Sequence, residues 1–171
     1  ILLILLALTI TTQNLKAESL SGQAKLDSLL AELPKAKGDT NEVKLLIDLS
    51  ITLSSKNFTE GLEYAKQGLV IAKKLESISL EASCYNNFGN IYKLKSEDSK
   101  AMEYYRLALR ANKSISNRSG IALSLERIGG VHLLQADYPA ALEHYQKALK
   151  LYEEMDNKKG IALINGSIGI I

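Results

Sequence analysis

The chain has 171 residues, a formal charge of +2, one cysteine, two prolines and no tryptophan. Leucine and alanine abound and valine occurs only three times, a composition that favours helix over sheet. The 46% hydrophobic and 23% charged content excludes a disordered chain and a polytopic membrane protein, and so weak a net charge implies neither nucleic acid nor an anionic membrane surface as a partner.

The first element is apolar. The sequence starts at Ile1, runs ILLILLALTI, and turns polar through TTQNLKAES. Residues 1–17 read as the apolar and cleavage regions of a secretory signal peptide, truncated at its start, with cleavage after Ala17. The run is shorter than the ~20 apolar residues that a transmembrane helix needs. An exported protein is expected, on the periplasmic or extracytoplasmic side of a bacterial membrane. It would touch that membrane only through this segment or through a span beyond residue 171. Residues 18–40 form a capping helix and loop. Leu26, Leu29, Leu30 and Leu33 give one apolar side to a helix over 20–34, and Lys35 to Gly38 is its exit. Asp39 or Thr40 then caps the next helix, with Glu42 reaching back.

From residue 41 the sequence repeats. Segments 41–80, 81–120, 121–160 and 161–171 align without insertion. The ninth place holds Leu49, Gly89, Gly129 and Gly169. The twenty-first holds Gly61, Ala101 and Ala141, and the twenty-fifth Ala65, Tyr105 and Tyr145. Units two and three end in Gly120 and Gly160, each followed by Ile-Ala-Leu. Apolar residues recur near a period of 3.6 twice per unit, as in Leu125, Ile128 and Val131, then Leu142, Tyr145 and Leu149. Seven helices beyond residue 40 and no strands are expected. Pro139 suits a first helical turn, where its missing N–H is not needed. The small residues let two backbones approach closely, so Gly89, Ala101, Tyr105 and Ala108 should be buried, as should Gly129, Ala141, Tyr145 and Ala148. The incomplete unit 161–171 leaves an apolar helix face unpaired, which implies that the natural protein continues.

These places carry a resemblance. Tyr85, Phe88-Gly89, Tyr92, Ala101, Tyr105 and Ala108 in unit two resemble the signature of the tetratricopeptide repeat, as do Leu125, Ile128-Gly129, His132, Ala141, Tyr145 and Ala148 in unit three. Unit one is degenerate, with Asp48-Leu49 and Ala65 in the corresponding places. A period longer than the usual ~34 is similar to the family members that include kinesin light chains and bacterial peptide-sensing regulators. The resemblance implies an all-α, right-handed superhelical solenoid of antiparallel helix hairpins. The opening LDSLLAELPKAKGDTNEVKLLIDLS also resembles the exported repeat regions of two-component sensor kinases.

No phosphate loop, dinucleotide fingerprint or HExxH occurs, so no catalytic residue, cofactor or metal is expected. His132 and His144 lack a second histidine or aspartate at metal-ligand spacing and read as packing or surface residues. Cys84 reads as a small packing residue that cannot form an internal disulfide. What remains is the inner face of the array, lined by the first helix of each unit. Its inward places hold Leu46, Ile47, Ser50 and Leu53 in unit one. Unit two supplies Asn86, Asn87, Asn90 and Lys93, and unit three Glu126, Arg127, Gly130 and Leu133. The peptide-binding candidates are Asn86, Asn87, Asn90, Lys93, Glu126 and Arg127. The resemblance implies that an asparagine at the tenth place, here Asn90, holds a peptide backbone, since an amide both donates and accepts. On that reading Asn90 points inward beside Asn86, Lys93 and Arg127 and makes no structural hydrogen bond. The function expected is non-enzymatic binding of a protein or peptide segment. The alternative is the N-terminal sensor region of a histidine kinase or regulator, with catalysis or DNA binding beyond residue 171.

Overall fold

The computed structural model describes residues 22–171. The signal-peptide reading of residues 1–17 lies outside the described residues. A helix over 22–32, α1, leads through a short 3-10 turn at Leu33–Lys35 into seven helices. These are α2 (Thr40–Ser54), α3 (Phe58–Lys74), α4 (Ile78–Leu94), α5 (Asp98–Ser114), α6 (Arg118–Leu134), α7 (Tyr138–Glu154) and α8 (Lys158–Ile168). No strand occurs among the described residues.

The period of forty is two periods of twenty. Each helix from α3 to α7 has 17 residues, and three-residue turns join them. The middle residue of each turn has positive φ: Glu76, Ser96, Ser116, Ala136 and Asp156, at 49° to 57°. The last residue of each turn caps the next helix, except Glu97, whose side chain makes no cap bond to α5. Asn57, Ser77, Asn117, Asp137 and Asn157 each accept a backbone N–H in the first turn, which satisfies one of the free donors at a helix start. Asp39 caps α2 in the same way, and Glu42 reaches back to the Gly38 N–H. Pro139 sits in the first turn of α7, as its chemistry requires.

None of the five left-handed turn residues is glycine, although left-handed backbone strains any side chain that has a Cβ. Ala136, at φ 57°, has no polar group with which to offset that strain. Ala136→Gly should therefore stabilise the array by ~0.5–1 kcal/mol, read as a rise in thermal midpoint. Lys56 stands at the same point of its turn but lacks the positive φ, so Lys56→Gly should bring no gain. An equal gain at both sites would count against the strain at Ala136.

Packing is tightest within the hairpins α2–α3, α4–α5 and α6–α7. The first helices of neighbouring hairpins also touch, α2 with α4 and α4 with α6, whereas the second helices α3, α5 and α7 make no comparable contact with one another. The array therefore bends with its first helices on the inside. Gly89 and Gly129 allow this closeness. A Cβ on Gly129 would stand 2.8 Å from the Tyr145 ring, and one on Gly89 would penetrate the ring of Tyr105. Ala101, Tyr105, Ala108, Ala141, Tyr145 and Ala148 are all buried.

Gly120 and Gly160 lie in the first turns of α6 and α8. Gly120 makes room for Asn112, and Gly160 for the ring of Tyr152. In unit one the sizes are reversed, with Ala72 in the small place and Leu80 packed against it. The N-terminal helix also buries little, since no residue over 22–35 is buried. Ile51 stays 47% exposed where its repeat equivalents Ile91 and Val131 are buried. The reason lies in the register. Second helices bury small residues such as Ala65 and Ala72, and a shift of forty puts Lys25 and Glu32 in those places.

Candidate functional site on the inner face

The inner face is built mostly from α4 and α6. Of the six candidate residues, the structure brings Asn90, Lys93 and Arg127 together. With Leu94 they line an open cavity of about 290 Å³ between the two helices. Neither Lys93 nor Arg127 makes an ion pair among the described residues, so the cavity is electropositive. Gly130 lies beside Lys93: a Cβ there would make ordinary contacts, 3.9 Å from Lys93 Nζ and 3.7 Å from the Tyr145 hydroxyl.

Asn90 is not free of structural bonds, contrary to expectation. The Tyr105 hydroxyl donates to Asn90 Oδ1 at 2.8 Å. Tyr105 is fully buried beside Gly89, and burial pushes its phenol up to about 12 although Arg127 opposes the shift. It therefore keeps its proton near neutral pH, and its bond ties Asn90 to α5.

The other candidates lie elsewhere. Asn87 is buried, and its Nδ2 donates to Ser50 Oγ at 2.9 Å. It joins α4 to α2 and presents nothing to a ligand. Asn86 is also buried, with an unpartnered Oδ1. Glu126 accepts from the Tyr152 hydroxyl at 2.8 Å, which together with burial raises the Tyr152 phenol's pKa. Glu126 lines a separate cavity of about 170 Å³ with Leu123, Tyr152 and Leu163. In unit one Leu46, Ser50 and Leu53 are buried, so α2 adds no polar inner surface. Its apolar side is consumed by packing against α3 and α4.

Sequence reasoning missed Leu94 and Leu134. They stand forty residues apart at the ends of α4 and α6, 63% and 60% exposed. Two large apolar side chains held in water at the same repeat place were the available signal. A larger opening of about 380 Å³ lies at the entry to α2, where Glu32, Asp39 and Asp48 mix with Lys35 and Lys44. Its charges offer no single sign to a ligand.

His132 and His144 meet across the α6–α7 hairpin. Their rings stack at 5.2 Å, and His132 Nδ1 lies 3.4 Å from Asp137 Oδ2. This is the repeat equivalent of the Tyr92–Tyr104 stack at 5.4 Å, so a packing slot is occupied by a different pair of rings. Among the described residues no three His, Cys, Asp or Glu side chains group as metal ligands. Cys84 is buried, which raises its thiol pKa to about 12 and leaves it a packing residue. No helix among the described residues is long and apolar enough to cross a membrane.

Known proteins share this architecture. The family model described as tetratricopeptide repeat matches residues 82–119 and 121–155. The crystal structure of BtubC (BKLC) from P. vanneervenii is similar, with a TM-score of 0.77 and 16% sequence identity. The match covers 87% of this chain and spans 65% of that chain's length. At that identity the likeness is one of fold. The comparison with curated proteins gives no match. The matched units coincide with the α4–α5 and α6–α7 hairpins, whose packing repeats under a shift of forty residues, and these two hairpins match the tetratricopeptide repeat.

Proposed function

We propose that this array is a non-enzymatic interaction module that binds an extended protein or peptide segment along its inner face. Repeats of this family generally mediate protein–protein interaction. The observation that carries the finer reading is the cavity of Asn90, Lys93, Leu94 and Arg127, polar, electropositive and open on the concave side of the bend. The test is a peptide selected from a random display library on the folded protein and titrated into Asn90→Ala. Loss of hydrogen bonds worth ~0.5–1.5 kcal/mol each should weaken binding several-fold. The variant also strands the buried Tyr105 hydroxyl, so affinities must be compared well below the unfolding temperature. Unchanged affinity in a folded Asn90→Ala protein would count against contact at this place.

The same reading puts the module outside the cytoplasm, supported by the apolar run and polar stretch of residues 1–17. Protein made from the full gene should begin near Glu18 on N-terminal sequencing, and a product retaining ILLILLALTI would overturn the assignment. In the whole protein this segment would then serve as the extracytoplasmic sensor part of a two-component kinase or regulator. The likeness of residues 26–50 to such regions supports that role.

A further inference from the structure

We propose that the edge of the array where α3 and α5 end is a docking surface for an anionic phospholipid bilayer. The inference does not depend on the inner-face reading, because α3 and α5 are second helices. The formal charge of +2 is an average that conceals where the charges sit. Lys73 and Lys74 close α3, and Arg106, Arg110 and Lys113 form one stripe along α5 at spacings of four and three. All five are exposed, and none makes an ion pair among the described residues. The acidic residues that border them are Glu76, Glu81 and Glu103. The macrodipole favours a cation at the end of any helix, yet α7 ends on Glu153 and Glu154 with no basic residue in its last turn. The basic excess is therefore particular to α3 and α5.

Apolar side chains stand among these cations. Val70, Ile78 and Ile115 are all exposed. Val70 lies one turn before Lys73 and Lys74 on α3, and Ile115 follows α5 directly. The ion pair of Arg118 with Glu154 joins the first residue of α6 to the last of α7. The shift of forty places Ile78 beside Ser114 in the same way, so the ends of α3 and α5 belong to one continuous surface. A bilayer offers phosphates to the ammonium and guanidinium groups and an apolar boundary to the valine and the isoleucines. Being fluid, it needs no matching shape, whereas a folded acidic partner packs by complementary relief. The three cavities described above lie elsewhere, which favours the fluid surface as the occupant.

The test is flotation of the purified protein with vesicles of phosphatidylcholine, with or without about 30% phosphatidylglycerol. The anionic vesicles should bind about tenfold more tightly than the neutral ones. The difference should shrink as salt rises from about 0.05 M to about 0.5 M, which screens exposed charges. Lys74→Gln with Arg110→Gln and Lys113→Gln should lower the affinity for anionic vesicles by about tenfold or more. Lys37→Gln with Lys44→Gln and Lys56→Gln removes the same charge from exposed positions in and around α2 and should leave the affinity within about twofold. Val70→Ser with Ile78→Ser should weaken binding several-fold at both salt concentrations, because apolar contact is not screened. Circular dichroism confirms that each variant keeps its helices. Equal losses in the two triple variants would show that binding follows overall charge and would overturn the assignment to this edge. Equal binding of the two vesicle types by the unaltered protein would overturn the bilayer as occupant. Poly-glutamate binding that the first triple variant loses would in that case assign the edge to an acidic protein instead.

Discussion

Gly89→Ala should lower the stability of the array by ~1–3 kcal/mol, the usual range for overpacking a filled core. The added methyl meets the ring of Tyr105, which is fully buried and bonded to Asn90. Neither α4 nor α5 can retreat, because α4 also touches α2 and α6. For a chain of this size the change corresponds to a fall of roughly 2–12 °C in the thermal midpoint. The pairing can be isolated with Tyr105→Leu, which removes the obstructing ring. Alone it opens a cavity and destabilises, but combined with Gly89→Ala the two losses should add to less than their sum. Strict additivity would mean that the glycine is there for some reason other than the ring.

The second large effect is at the junction of α7 and α8. Gly160→Leu should destabilise by several kcal/mol, because a Cβ at Gly160 would already stand 2.5 to 2.7 Å from the Tyr152 ring. Tyr152→Ala alone should cost ~3–5 kcal/mol as a cavity. Together the two substitutions recreate the pair that unit one uses, Ala72 with Leu80 packed against it. The double variant should therefore recover most of the loss. Chemical denaturation of the four proteins measures the coupling directly. A double variant as unstable as the sum of the singles would show that the two junctions are not equivalent despite their shared register.

These two junctions also mark what the sequence discloses. The period of forty was readable because Gly89 with Tyr105 and Gly129 with Tyr145 must recur together: a small residue without its ring would leave a hole. The same coupling predicted which residues are buried. The turns were not readable. Their left-handed places hold Glu76, Ser96, Ser116, Ala136 and Asp156, with no glycine to signal them, so the twenty-residue half-period stayed hidden. Gly120 and Gly160 were visible, but their use was not: each makes room for a side chain of the preceding helix, Asn112 and Tyr152.

The candidate site was legible only in part, for a geometric reason. Successive residues on a helix point roughly 100° apart. Asn86, Asn87 and Asn90 look alike in sequence, yet Asn87 faces α2 and bonds Ser50 while Asn90 borders the cavity. Periodicity narrows the inward direction to a sector, and contacts with the neighbouring hairpin decide within it. The Tyr105 bond to Asn90 and the His132–His144 stack both cross between helices of a hairpin, and spacing along the chain carries no trace of such pairs.

The most direct test of the inner-face reading is charge reversal on the two sides of the array. A library-selected peptide is titrated by calorimetry into the unaltered protein, into Lys93→Glu with Arg127→Glu, and into Glu103→Lys with Glu143→Lys. The last two positions are exposed on the second helices α5 and α7. Inner-face reversal should weaken binding at least tenfold at unchanged fold, and outer-face reversal should leave it within about twofold, a tenfold change being ~1.4 kcal/mol. Binding that survives the inner reversal and is lost with the outer one would contradict the reading.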